Sequence, residues 1–443
     1  MKSFRFVPAL LALLLTLSGC AIPSGDELLA APKPSKSYQT LQDELSKILS
    51  TQSYAAPLGG ENRSTVQLVD LDGDGAEEAV SFFKKNGNSN EYTIYIYKKQ
   101  NDAYVCTGSI QGAGSGIDSV YYPVITPKGQ RGILIGWRQQ TSDSLGSVTM
   151  CAIGQDCAPT PLLEAECSAM ELTDLTGDGA KDLLLLTADL TGKRVARLYR
   201  YNGSELLSVG EAPTSQDAVT IERIFPGYAA DHTPAVFTEE KTASGIGLTT
   251  DIFVYANGTL HNLALDGEDS AARGTYRPLS VSAADINKDG ITELPRAVLM
   301  AGYTDAAATD ALFMLDWYSY AVDGAPKLVQ TTYHNVSEEW FFTIDSTWHD
   351  QITATKSSEN GLSAVHFFQY LPDGKRTPIF SIYCATGPQR SYYATRTDLV
   401  QLAETGKGVF FARLDEGAAA SPFQLDADKI RSHFSLVMKS WSN

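Results

Sequence analysis

The residues best suited to chemistry are Asp70-Leu71-Asp72-Gly73-Asp74-Gly75-Ala76-Glu77-Glu78. Asp70, Asp72, Asp74 and Glu78 place carboxylates at loop positions one, three, five and nine. Gly75, at position six, permits a sharp backbone turn. The backbone carbonyl of Ala76, at position seven, is then free to face the same point. This is an oxygen-only cage, suited to a hard cation such as Ca²⁺ with its roughly six to eight oxygen ligands. The pattern recurs at Asp174, Thr176, Asp178, Gly179, Ala180 and Asp182, and again at Asp285, Asn287, Asp289, Gly290, Ile291 and Glu293. The first two loops run into the strand-like apolar stretches 79–83 and 183–186, and the third runs into Leu294.

An EF-hand loop would need a bidentate Glu at position twelve. Those positions hold Ser81, Leu185 and Arg296, so a helix-loop-helix site is excluded. The last acid stands at position nine, directly ahead of a strand. In this the chain resembles the FG-GAP/VCBS repeat family of β-propellers, which includes the calcium-binding blades of integrin α chains. The resemblance implies a calcium-dependent scaffold for binding or adhesion, and a protein or glycan as its ligand. Its motif is specific only at the three acidic loops. Counting carboxylates predicts the calcium affinity order: the first loop, then the third with the amide of Asn287, then the second with the hydroxyl of Thr176.

The loops begin about 100 residues apart, roughly twice one propeller blade. Degenerate turns followed by strands fall between and beyond them, at 124–135, 224–237, 344–354 and 401–411. Seven units result, and the expected fold is an all-β, seven-bladed β-propeller over 61–443 with short N- and C-terminal helices. Runs such as Tyr92-Thr-Ile-Tyr-Ile-Tyr97, separated by Asn, Gly and Asp turns, supply the strands. Tyr38, Leu41, Leu45, Ile48 and Leu49 predict an amphipathic helix within 38–60. Ile430, Phe434, Val437 and Trp441 predict a second within 426–441, although strands donated from the N-terminal segment could close the ring instead.

At the N-terminus, Lys2 and Arg5 precede an apolar core at 6–17, the layout of a secretory signal peptide. It ends in Leu17-Ser18-Gly19-Cys20, which resembles a bacterial lipobox whose Cys20 is lipidated. Residues 21–37, with three prolines, read as an extended tether. The mature chain is therefore expected outside the cytoplasm, held on a bacterial membrane by lipid on Cys20. Five further cysteines remain, an odd number; Cys151 and Cys157 could form a hairpin disulfide in an oxidising compartment.

The formal net charge of −17 argues against nucleic acid as a partner. Ten of the carboxylates stand at ligand positions of the acidic loops, so much of that charge reads as cation ligand. No nucleophile elbow, zinc-binding His pattern or phosphate-binding loop is present. The leading expectation is a binding, adhesion or scaffold module, and the alternative is a surface polysaccharide hydrolase or lyase built on the same platform. His349, beside Trp348 and Asp350, is the most chemically interesting remaining group, and it also fits a degenerate loop. Ten tyrosines and tryptophans, among them Trp137, Trp317, Trp340, Trp348 and Tyr392, could line a ligand-binding rim or fill the space between blades.

Overall fold

The computed structural model describes residues 35–437, apart from 88, 140–144, 189–190, 216–217, 243–244, 246, 267–270, 273, 306–309, 324, 417 and 420. The expected signal peptide, Cys20 and nearly all of the tether lie outside the described residues, as does Trp441. No helix among the described residues is long and apolar enough to cross a membrane.

Helix α1 (Lys36–Ile48) opens the described chain, and the Ser35 hydroxyl caps it by accepting the Tyr38 N–H. It begins two residues earlier than expected and stops well short of residue 60, because 52–54 are already a strand. The first sheet contains β1 (Gln52–Tyr54), β2 (Val66–Val69), β3 (Glu78–Lys85), β4 (Glu91–Gln100) and β5 (Ala103–Ala113). Strands β1 and β2 lie end to end on one edge of β3, with Tyr54 opposite Phe83 and Val69 opposite Glu78.

Three four-stranded antiparallel sheets follow in chain order. The second has β6 (Ile117–Tyr121), β7 (Gly132–Arg138), β8 (Leu145–Ile153) and β9 (Pro159–Glu166). The third has β10 (Ala169–Thr173), β11 (Asp182–Ala188), β12 (Arg194–Tyr201) and β13 (Leu206–Pro213). The fourth has β14 (Ala218–Ala229), β15 (Thr233–Thr242), β16 (Leu248–Ala256) and β17 (Thr259–Asn262). A two-stranded ribbon, β18 (Leu265–Asp266) and β19 (Ala271–Ala272), precedes the last two sheets.

The fifth sheet comprises β20 (Leu294–Leu299), β21 (Phe313–Ser319), β22 (Lys327–Asn335) and β23 (Trp340–Ile344). The sixth comprises β24 (Ile352–Glu359), β25 (Leu362–Tyr370), β26 (Arg376–Ala385), β27 (Val400–Glu404) and β28 (Val409–Leu414), with helix α2 (Gln389–Ala394) between β26 and β27. Helix α3 (Ala427–His433) and strand β29 (Phe434–Leu436) end the described chain.

Alternation along the strands explains how the sheets stack. In β3, Val80 and Phe82 face the second sheet, where they meet Ile133 and Ile135. Ala79 and Phe83 point the other way, against Leu41 and Leu45 of α1. Similar shared cores join the second sheet to the third, the third to the fourth, the fourth to the fifth and the fifth to the sixth. The outer face of the sixth sheet carries α2, whose Tyr393 stacks on Phe411 with ring centroids 4.7 Å apart. The described residues thus form a stack of six sheets with a helix on each outer face.

The expected seventh unit does not form a sheet of its own among the described residues. Its strand, β28, pairs with β27 on one side and with β26 on the other, completing the sixth sheet. Strand β23, which ends at Ile344 where the expected sixth unit begins, pairs with β22. Its other edge takes β29, with Phe342 opposite Phe434. This is also why the C-terminal helix is shorter than expected. Phe434 leaves the helix in extended conformation and packs on Trp340 and Phe410. Burial of that ring and a strand pairing outweigh continued helix.

Of the ten aromatic residues that could line a rim or fill the space between blades, five are core. Trp137, Trp317, Trp340 and Trp348 are buried, and the Trp137 and Trp317 indoles donate to Thr149 and Thr332. Only Tyr392 among those named above is well exposed. The five described cysteines are free; Cys151 packs in the core between the first two sheets, and the Cys157 thiol turns toward Asp72.

Candidate metal centres

Each acidic loop is the turn between two strands or strand-like segments of one sheet. The first joins β2 to β3 and the second joins β10 to β11. The third precedes β20, where a bridge between Ala284 and Glu293 closes its base. They therefore lie on the first, third and fifth sheets as three separate centres. Gly75, Gly179 and Gly290 have φ of +86°, +88° and +87°, the left-handed conformation expected at position six.

The internal hydrogen bonding repeats. Asp70, Asp174 and Asp285 accept the N–H of that glycine at 3.2, 2.8 and 2.9 Å. Asp74, Asp178 and Asp289 accept the N–H of Ala76, Ala180 and Ile291 at 2.8, 2.9 and 2.9 Å. At position nine, Glu78, Asp182 and Glu293 accept the N–H of Leu71, Leu175 and Ile286 at 2.9, 2.9 and 3.1 Å.

The position-nine acids carry the most informative detail. All three are buried, and in each the second carboxylate oxygen has no hydrogen-bond partner. A buried acceptor left unpaired costs about 1–3 kcal/mol, more when charged. Burial raises the pKa of all three, and that of Glu293 reaches about 7. In the first loop, oxygens of Asp70, Asp72 and Asp74 lie within 4.8 Å of one another. Converging hard oxygens and an unpaired buried acceptor fit a Ca²⁺ ligand set. The position-three residues differ: Asp72 accepts the Asp74 N–H, the Thr176 hydroxyl donates to Asp182 at 3.0 Å, and the Asn287 amide donates to Asp289 at 2.8 Å.

Sequence reasoning missed three groups at these loops. The Lys98 ammonium is hydrogen-bonded to Asp72 and lies 3.7 Å from Asp74. The Arg200 guanidinium pairs with Asp178. The Cys157 thiol, from the β8–β9 turn of the next sheet, donates to Asp72 at 3.4 Å. Burial opposes ionisation of Asp72, yet hydrogen bonds from Lys98 and Cys157 outweigh it and hold its carboxyl below the usual range. Comparing the second strand after each acidic loop would have exposed Lys98 and Arg200. Cys157 carries no such signal.

His349 follows the turn from the fifth sheet to the sixth. Its Nε2 lies 3.2 Å from the buried Asp316 carboxylate and its Nδ1 lies 3.0 Å from Asp350. Burial pulls its pKa down, but the two carboxylates prevail and raise it above the ordinary value. The charged imidazole thus stabilises the fold fully below the unfolded pKa of about 6.5, and this is lost as pH rises through the higher folded value. The melting temperature is expected to show a component that falls over that window. His349→Gln should remove it at a cost of under about 1 kcal/mol; an unchanged pH profile in that variant would exclude the assignment.

A cavity of about 450 Å³ is lined by Glu222, Glu239, Lys241, His334 and Glu339, on the fourth and fifth sheets and beside them. Burial pushes the His334 pKa down to about 3, so its imidazole is neutral there, and its Nε2 has no partner.

No family model matches the chain, and no curated protein sequence matches it. Among solved structures it is similar to the β-propeller domain of the Trilobed protease from Pyrococcus furiosus, at 13% identity over 72% of this chain and 89% of that one, with a TM-score of 0.25. It is also similar to a mutant of AofleA from Arthrobotrys oligospora, at 10% identity over 75% of this chain and 91% of that one, with a TM-score of 0.24. Neither likeness bears on ligand or activity. What the described residues present is a stack of six antiparallel sheets of four or five strands, carrying three acidic turns of one design.

Proposed function

We propose that this chain is a Ca²⁺-binding β-propeller of the FG-GAP/VCBS type, acting outside the cytoplasm as a binding, adhesion or scaffold module. In this reading the six sheets are its blades, and the mature protein is tethered through lipid on Cys20. One observation carries the calcium assignment: three loops with the same internal hydrogen bonds each bury an acid with one oxygen unpaired. The ligands are Asp70, Asp72, Asp74, Glu78 and the Ala76 carbonyl in the first loop. In the second they are Asp174, Thr176, Asp178, Asp182 and the Ala180 carbonyl. In the third they are Asp285, Asn287, Asp289, Glu293 and the Ile291 carbonyl. Ca²⁺ would supply the positive charge at the centre of each turn, while the chain supplies the oxygens and the glycine-dependent curvature. The cavity beside the fourth and fifth sheets offers polar groups to a protein or glycan.

Two measurements test this reading. Cells making the full chain should incorporate labelled fatty acid into it, and Cys20→Ala should abolish the label. Labelling that persists in the variant would exclude the anchor. The purified chain should also retain an envelope or host glycan intact in a Ca²⁺-dependent way. Shortening of the glycan would point to the hydrolase or lyase instead.

A further inference from the structure

Lys98, Arg200 and Ser319 occupy the same place in three sheets. The residue at position ten of each acidic loop faces a tyrosine across the sheet: Ala79 faces Tyr97, Leu183 faces Tyr199, and Leu294 faces Tyr318. Each tyrosine directly follows a register shift against the next strand, at Ile96/Tyr97, Leu198/Tyr199 and Trp317/Tyr318. The three positions are therefore equivalent in register and in local twist. The next residue differs in charge: Lys98 in β4, Arg200 in β12 and Ser319 in β21.

That difference reaches the loops. Lys98 lies on Asp72 and near Asp74, and Arg200 lies on Asp178. The Lys98 side chain is mostly buried, and that of Asp72 is completely so. In the third loop, Asp285 and Asp289 make no ion pair among the described residues. The basic groups around it do not engage its carboxylates. His232 Nε2 faces the Asp289 backbone carbonyl at 3.2 Å, Lys288 is exposed, and Arg296 lies over the Tyr318 ring. This loop also retains the buried Glu293 with its unpaired oxygen.

We propose that Lys98 and Arg200 are resident counter-cations that weaken divalent-cation binding at the first and second loops, leaving the loop at 285–293 as the site that takes Ca²⁺ first. The inference rests on the calcium reading above and reverses the order predicted from carboxylate number. An ammonium or guanidinium already on a ligand carboxylate must be displaced, or must repel the incoming ion at close range. Ser319 imposes neither cost. Among the described residues, the fifth sheet thus presents a loop of fewer acids with no basic side chain on them, and the first sheet a loop of more acids in which Asp72 already holds a cation.

Calorimetric titration of the chelator-treated full chain with Ca²⁺ tests this. The unsubstituted protein should bind one tight equivalent, and Asp289→Asn should lose it. Lys98→Met and Arg200→Met should each tighten a further equivalent by about tenfold or more. Ser319→Lys, the reciprocal change, should weaken the tight site by a similar factor. Melting of each variant confirms that it is folded, and the Ser319→Lys result stands even where a loss-of-charge variant is not. Three equal equivalents, unaffected by any of these changes, would overturn the counter-cation assignment while leaving the calcium reading intact. No uptake by the unsubstituted chain or by any variant would overturn both.

Discussion

Calcium is expected to raise the melting temperature of the chelator-treated protein by about 3 °C at a free concentration a hundredfold above the dissociation constant. One occupied site that exists only in the folded state contributes about 2.7 kcal/mol at that excess. Unfolding entropy of about 2.1 cal/mol/K per residue converts this into the stated shift for a unit of roughly 400 residues. The gain has a structural origin at each loop. Without a cation, the carboxylates of Asp70, Asp72 and Asp74 converge in the first loop, and in each loop a buried oxygen of Glu78, Asp182 or Glu293 goes unpaired. A bound cation offsets the repulsion and takes up the oxygen. Asp285→Asn with Asp289→Asn should remove most of the shift. Superimposable melting curves with calcium and with chelator would mean that the three loops are turns and nothing more.

A larger loss is expected on changing Glu239. Arg277 is completely buried, and its Nη2 donates to Glu239 at 2.7 Å. The same guanidinium donates to the Thr250 hydroxyl at 2.9 Å and to the Val281 carbonyl. Glu239 also accepts the Ala283 N–H at 2.6 Å. Removing one partner of such a pair leaves an uncompensated buried charge and costs about 3–5 kcal/mol. Glu239→Ala should therefore lower the melting temperature by about 4–6 °C. Replacing both partners, as in Glu239→Met with Arg277→Met, should restore most of it, because two apolar side chains need no counter-charge. Since Val281 and Ala283 lead directly into Asp285, Glu239→Ala should also weaken calcium binding at the third loop. A change of less than a degree in the single variant would show that the pair is dispensable.

The three acidic turns were legible in the sequence because everything that shapes them is local. Nine residues contain the carboxylates, the glycine with positive φ and the acid that caps position two. Neighbours in the fold need not be known. The strands were legible for a related reason, since alternation of Val80 and Phe82 with Ala79 and Phe83 marks a sheet with two covered faces. Strand partnership was not legible. Strand β23 could pair with β22 or β24, and β28 could begin a new sheet or complete an old one; both edges offer the same backbone groups. The choice fell to burial, through Trp340, Phe342 and Phe434 in one case and Phe410 and Ala412 in the other. Tertiary structure also decided which charges meet. Lys98 and Arg200 are separated from their acidic partners by a full hairpin, and only the register of β3 with β4, and of β11 with β12, carries them back to the loops. The sequence by itself determined where a cation could be held. Pairing between strands decided which of those places already holds a positive charge, because cross-strand contacts depend on register and register is not a local property of the chain.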